Sequence, residues 1–273
     1  MKSILRITLA AVVLALLAGC VSTQSAFTNF SRQDSGREHS HRLVTAPEPV
    51  RAGSRSQRFE LRPGDCDSFS NGWDDCTHDR ERIEFTAQPS FQIGQEVWIA
   101  YSIYVPRDFS DLTPVHTHAG QIHQRGGPSG TMRGLPSNPP LIQFDFWRGS
   151  YQLNHHRLTG DINRVVDNSD FTVLASLSQM RGRWTDILLH LKFSRDDGFA
   201  HVYVNGTSKA RVTRNFINFE PREFFFKFGI YRSFLSKLNQ PPPTQVLYFD
   251  EVRAGPTRES VDLRTNPDLS PVD

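Results

Sequence analysis

The stretch Glu223-Phe224-Phe225-Phe226-Lys227-Phe228-Gly229-Ile230-Tyr231-Arg232 is rich in aromatic, β-forming residues and shows no helical period. Read as a strand, it sends successive side chains to opposite faces. Phe224, Phe226, Phe228 and Ile230 share one face, which suits a core between two sheets. Phe225, Lys227, Gly229 and Tyr231 share the other, with Lys227 and Tyr231 about 13 Å apart along the strand. The glycine between them is expected to leave room for a ligand. A solvated face with a snorkelling lysine gives the same pattern, so other strands must decide.

Two further segments divide in the same way. In Ala119–His123, Gln121 and His123 oppose Ile122; in Leu141–Trp147, Gln143, Asp145 and Trp147 oppose Ile142, Phe144 and Phe146. A face that mixes Gln, His, Lys, Tyr and Trp suits a sugar-binding groove, where aromatic rings stack on sugars and amides bond hydroxyls. More strands are expected at Val97–Val105, Asp186–Phe193, Phe199–Val204 and Gln245–Val252. Asn205-Gly206 is a hairpin signal, since both residues tolerate positive φ. Short helices are expected only within Val165–Met180 and at Phe234–Leu238. Strands without intervening helices predict an all-β fold: a two-sheet antiparallel β-sandwich of jelly-roll type with a concave groove.

Composition narrows the function. The 273 residues are 37% hydrophobic and 22% charged, which excludes a disordered, collagen-like or polytopic membrane protein. Lys and Arg number 31 against 29 acids, and two of the bases, Lys2 and Arg6, lie in the first 19 residues. The remainder is neutral, so nucleic acid is not expected as a partner. A local basic segment survives: His116–Gly160 holds Arg125, Arg133, Arg148, Arg157 and five histidines against the single acid Asp145. That segment suits a carboxylate or sulfate. The acids Asp65, Asp67, Asp74, Asp75, Asp79, Glu81 and Glu84 crowd around Cys66 and Cys76. They are expected to lie off the groove or to be neutralised by calcium.

The first 19 residues read as a signal peptide: Lys2 and Arg6, the apolar run Ile7–Leu17, then Ala18-Gly19 before Cys20. The run is short of the roughly 20 apolar residues a membrane span needs. Leu17-Ala18-Gly19-Cys20 resembles a lipobox, so Cys20 is expected to carry lipid and tie an exported lipoprotein to a membrane. Val21 and Ser22 lack an inner-membrane retention Asp, which favours the outer membrane. Residues 20–57 hold few large apolar side chains and read as a disordered tether. The domain is then 58–255, with a loose polar tail over 256–273. Cys66 and Cys76 remain as an even pair in an exported protein and are expected to form a disulfide. The Pro- and Gly-rich segment Gly126–Pro140 reads as a mobile loop over one face.

Arg82-Ile83-Glu84-Phe85, Val97–Phe109, Gln121-Ile122-His123, Trp184–Phe193, Val202–Gly206, Lys227-Phe228-Gly229-Ile230-Tyr231 and Tyr248–Val252 follow one another in this order. The series resembles the jelly-roll polysaccharide lyases that include heparin lyase I and glucuronan lyase. The resemblance implies β-elimination on an acidic, uronic-acid-containing polysaccharide: a base takes the C5 proton, an acid protonates the leaving O4, and the carboxylate is neutralised. It implies His123 as base with Tyr231 as acid, or Tyr231 as both, and Lys227, Gln121 and Arg82 as the carboxylate clamp. Gln143, Trp147, Arg148 and Arg232 are the further candidates for substrate contact. The resemblance implies no cofactor for the chemistry but a structural Ca2+, with Asp250 its best positional match. No basic run favours heavily sulfated heparin, so a less sulfated uronan is expected. Two other readings stay open. One is a non-catalytic sugar-binding module on the same fold. The other is a metal enzyme ligated by His116, His118 and His123.

Overall fold

The protein is described here by a computed structural model covering residues 25–68, 72–125, 139–161, 164–213 and 222–273. The expected leader, Cys20, Arg133 and all of Gly126–Pro140 except its last two residues lie outside the described residues. In chain order the first strands are β1 Asn29–Gln33, β2 His41–Val44, β3 Ser56–Leu61, β4 Arg80–Gln88, β5 Phe91–Gln92 and β6 Glu96–Tyr104. Next come β7 His116–Arg125, β8 Ile142–Trp147, β9 Ser150–His155, β10 Leu158–Asp161, β11 Arg164–Asp167 and β12 Asp170–Ser176. The last are β13 Trp184–Lys192, β14 Phe199–Val204, β15 Thr207–Thr213, β16 Glu223–Ser233 and β17 Gln245–Gly255.

One sheet runs β1-β4-β16-β7-β8-β9-β12, with β5 also pairing β16; the other runs β15-β14-β13-β6-β17-β3-β2. Strand β16 lies inside the first sheet, between β4 and β7, and its apolar face meets the second. Phe226 packs on Tyr101 of β6 and Phe228 on Phe249 of β17, each at 5.4 Å between ring centroids. Phe224, Phe226, Phe228 and Ile230 are all fully buried. Each such side chain contributes roughly 1.5–3 kcal/mol, so the alternation read from the sequence fixes which face is core.

Three expectations change. Most of Val165–Met180 is strand, because Val165, Val166, Phe171 and Val173 prefer the pleat; only Leu177–Met180 is helical, closed by a Ser176–Gln179 capping box. Phe234–Leu238 narrows to a single 3-10 turn at Leu235–Lys237. The stretch expected as tether supplies β1 and β2, paired to β4 and β3. Average composition hides this, since an edge strand contributes backbone hydrogen bonds and a few anchors. Phe27 is such an anchor, packed against Phe91 and Phe226. The tail is also docked: Val261 and Leu269 are buried, and the Asp273 carboxylate accepts from the Ser54 and Arg55 backbone N–H groups.

These contacts set an expected result. Phe27→Ala should cost about 3–5 kcal/mol, the range for truncating a buried Phe. Deleting residues 25–55 should therefore lower the calorimetric melting temperature markedly. An unchanged melting temperature would restore the tether.

Candidate active site

Register places the chemistry. Lys227 of β16 pairs with Thr86 of β4 and Gln121 of β7, while Tyr231 pairs with Arg82 of β4 and His118 of β7. Gln121 in turn faces Gln143 of β8, and His118 faces Asp145. Arg82, Glu84, Gln121, His123, Lys227 and Tyr231 thus share the face of this sheet turned away from the core. Of the four expected groups, Lys227 and Gln121 are direct neighbours, while His123 lies opposite Phe225 and Tyr231 opposite His118 further along the same face.

Gly229 serves a purpose different from the one expected. Its φ is +137°, and a Cβ there would lie 2.2 Å from the Ile83 carbonyl oxygen. The space is filled by the backbone of β4, which approaches β16 closely because glycine stands there.

Glu84 is the hub of the floor. Its carboxylate, almost wholly buried, accepts from Lys227 Nζ at 2.6 Å, Gln121 Nε2 at 2.5 Å and Arg82 Nη1 at 3.2 Å. Burial would raise this carboxyl, but Lys227 and Arg82 hold it below its ordinary value. Burial pushes the Lys227 ammonium down, with Glu84 pulling the other way. Arg82 reaches Asp75 through two parallel bonds, Nε to Oδ2 at 2.5 Å and Nη2 to Oδ1 at 2.7 Å. Asp75 sits in the loop closed by the Cys66–Cys76 disulfide, whose Cα atoms are 5.4 Å apart. Two members of the acidic cluster are therefore not off the groove, whereas Glu81 pairs with Arg232 and Asp79 with Ser236. Asp75 and Glu84 belong to its floor, where Arg82 and Lys227 neutralise them.

Tyr231 lies between two planar groups: the Arg82 guanidinium carbon is 4.4 Å from its ring centroid, and the His118 ring stacks at 5.1 Å. Burial raises its hydroxyl above the ordinary value, with Arg82 opposing. His123 stacks on Phe225, and its Nδ1 accepts the Gln124 N–H at 2.9 Å. The same Nδ1 lies 3.3 Å from the Gln124 carbonyl oxygen, so it can accept from the one group or donate to the other. Burial, and next the Lys227 charge, push His123 down to about 3.

His118 was legible only as a candidate metal ligand. Strict alternation from Gln121 would turn it inward, yet the register slips between His118 and Gly120 against β8 and brings it out. The glycine within a strand was the available signal. His118 Nδ1 is held by Asp145, and its Nε2 lies 3.1 Å from Ser233 Oγ. Burial would raise the Asp145 carboxyl, but His118 and His116 hold it well below the carboxylate range. With His116 and His118 both turned to Asp145 and His123 bound to Gln124, the three histidines do not converge on a metal. Among the described residues no group of three His, Cys, Asp or Glu side chains could hold one.

Two other candidates fall elsewhere. Arg232 is fully buried on the core-facing side, paired to Glu81 and bonded to the Pro243 carbonyl, so it is a structural ion pair and not a substrate contact. The period of two already assigns it to that side. Asp250 does not fit a calcium ligand: one of its oxygens accepts the Arg51 and Ala52 N–H groups and the other the Glu251 N–H. Calcium takes six to eight oxygens, and these oxygens are already committed to donors. Gln143 and Trp147 do lie on the site face, Gln143 bridging His118 at 3.2 Å and His156 at 3.0 Å. Arg148 lays its guanidinium over the Trp147 ring at 4.1 Å.

The profile of the polysaccharide lyase family matches residues 24–253. This chain belongs to the polysaccharide lyase family. The match begins before β1, so the edge strand belongs to the lyase domain. Among solved structures, an endo-β-1,4-glucuronan lyase from the fungus Trichoderma reesei is similar, with a TM-score of 0.66 and 16% identity over 90% of this chain and 95% of that one. A family 7 alginate lyase, A1-II', is similar at a TM-score of 0.50 and 14% identity, covering 78% of this chain and 82% of that one. A search of curated protein sequences finds no match. At these identities the two structures confirm the lyase sandwich and no more. The family makes the chain a polysaccharide lyase, with the Tyr231 face as its candidate active site.

Proposed function

We propose that this lyase cleaves a uronic-acid-containing polysaccharide by β-elimination, with Tyr231 carrying both proton transfers. One observation supports this above the rest: Tyr231 shares one sheet face with Gln121, Lys227 and His123, around a Glu84 carboxylate already neutralised by Lys227 and Arg82. The two cations and two anions of the floor balance, so the uronate carboxylate is met by hydrogen-bond donors. The Gln121 amide supplies them, with Lys227 adding its remaining donors. The His123 ring, which burial pushes down to about 3, is a weak base, which leaves proton removal to the Tyr231 phenolate. The phenolate takes the C5 proton, the C–H electrons form the C4–C5 double bond, and the C4–O4 bond breaks. The phenol then returns its proton to O4. The Cys66–Cys76 bond fits an oxidising, exported setting.

A panel of alginate, polyglucuronate and heparin, followed by the ultraviolet absorbance of the unsaturated product, tests the activity. Binding without product would favour the sugar-binding module. On a cleaved polymer, kcat/KM should climb toward alkaline pH, because the base is a tyrosine raised by burial. A profile already level by neutral pH, as a base at the ordinary histidine value near 6.5 or at the lowered value of His123 would give, would return the base to a histidine and overturn the Tyr231 assignment.

A further inference from the structure

The site face changes character across the sheet. Strands β8 and β9 present Gln143, Asp145, Gln152 and Asn154 in register. Edge strand β12 continues that face with Phe171 opposite Asn154 and Val173 opposite Gln152. A polar floor thus gives way to an apolar rim. Phe171 is 56% exposed and Val173 54%, whereas Leu174 on the core side is 2% exposed. Leaving two adjacent apolar side chains in water contributes nothing to folding, and such a patch beside a ligand groove is a binding feature.

Its surroundings specify the occupant. Trp147 meets Phe171 edge-on, with centroids 6.3 Å apart and planes at 82°. Trp147 is already stacked by other groups: His116 at 5.0 Å and the Arg148 guanidinium at 4.1 Å. The backbone N–H of Arg148 donates to Thr113 Oγ1 at 2.7 Å, which fixes the tight turn carrying that guanidinium. An exposed aromatic ring beside a held cation matches a pyranose with a carboxylate: its C–H face stacks on Phe171 and its charge meets Arg148. Four strand spacings separate β16 from β12, about 19 Å, so the ring bound here is several units from the cleavage centre.

We propose that Phe171, Val173, Trp147 and Arg148 form a distal subsite for a uronate ring of the bound polymer. The proposal rests on the lyase reading above and extends it to substrate length. The test compares the cleaved uronan of the panel as long polymer and as its trisaccharide, in Phe171→Ala and Phe171→Trp variants of the full chain. Phe171→Ala should raise KM on the polymer about three- to tenfold, the effect of losing one ring stack. It should leave kcat and the trisaccharide unchanged, and Phe171→Trp should retain wild-type KM. Equal loss on both substrates, or no loss on either, would overturn the subsite. So would a variant that only abolishes self-association in sedimentation, since a second copy would then be what covers the rim. If no uronan is cleaved, affinity electrophoresis in alginate and polyglucuronate gels reads the same contrast without turnover. Retardation lost in Phe171→Ala would then keep the subsite while sinking the lyase mechanism; retardation unchanged would sink both.

Discussion

Tyr231→Phe should reduce kcat/KM on the cleaved uronan by roughly 10²–10⁴-fold, the usual contribution of a general acid–base group, while polymer binding survives. The substitution removes only the hydroxyl. The ring remains between the Arg82 guanidinium at 4.4 Å and the His118 imidazole at 5.1 Å, so the floor is undisturbed. Turnover and binding should therefore separate, the first read by product absorbance and the second by retardation in a polymer gel. Activity within about twofold of wild type would remove Tyr231 from proton transfer, because no such effect is compatible with a general acid–base role.

Glu84→Ala should destabilise the protein by about 3–5 kcal/mol, the cost of stripping one partner from a buried charge pair. Its carboxylate holds Lys227, Gln121 and Arg82 together, and without it two buried cations face each other. Activity should fall with it, since the Gln121 amide and the Lys227 ammonium lose their orientation. Glu84→Gln keeps the shape and lacks the charge, so it should fold better than the alanine variant yet remain impaired in turnover. Urea unfolding midpoints measured beside rates check both. A Glu84→Ala protein with wild-type midpoint and rate would show that the hub holds nothing.

Lys227 and Glu84 are 143 residues apart in the chain, which explains how much of this site could be read in advance. The alternation in Glu223–Arg232 gave the core face, the site face and the pairing of Lys227 with Tyr231. The same period around Gln121 and Gln143 gave two more strands of that face. Asp75 was misplaced because an acidic cluster beside cysteines looks like a solvated loop, and nothing local reveals Arg82 opposite it. His118 was misjudged because a one-residue slip at Ala119-Gly120 reverses the face that alternation predicts. Phe171 was absorbed into an expected helix, so its place on the groove rim had no signal of its own.

By itself, the amino-acid sequence determined what depends on neighbouring residues: strand character, the inward Phe face of β16, the outward Lys227 and Tyr231, and the pair of cysteines. Tertiary structure alone decided which strands adjoin, β4 with β16 with β7, and hence that Glu84 neutralises Lys227. It also decided that Asp75 orients Arg82, that Gly229 admits the backbone of β4, and that Phe27 closes the core. The physical reason is that side-chain direction follows from local backbone geometry. A hydrogen bond or ion pair between distant segments exists only once the whole chain has closed its sheets and set their register.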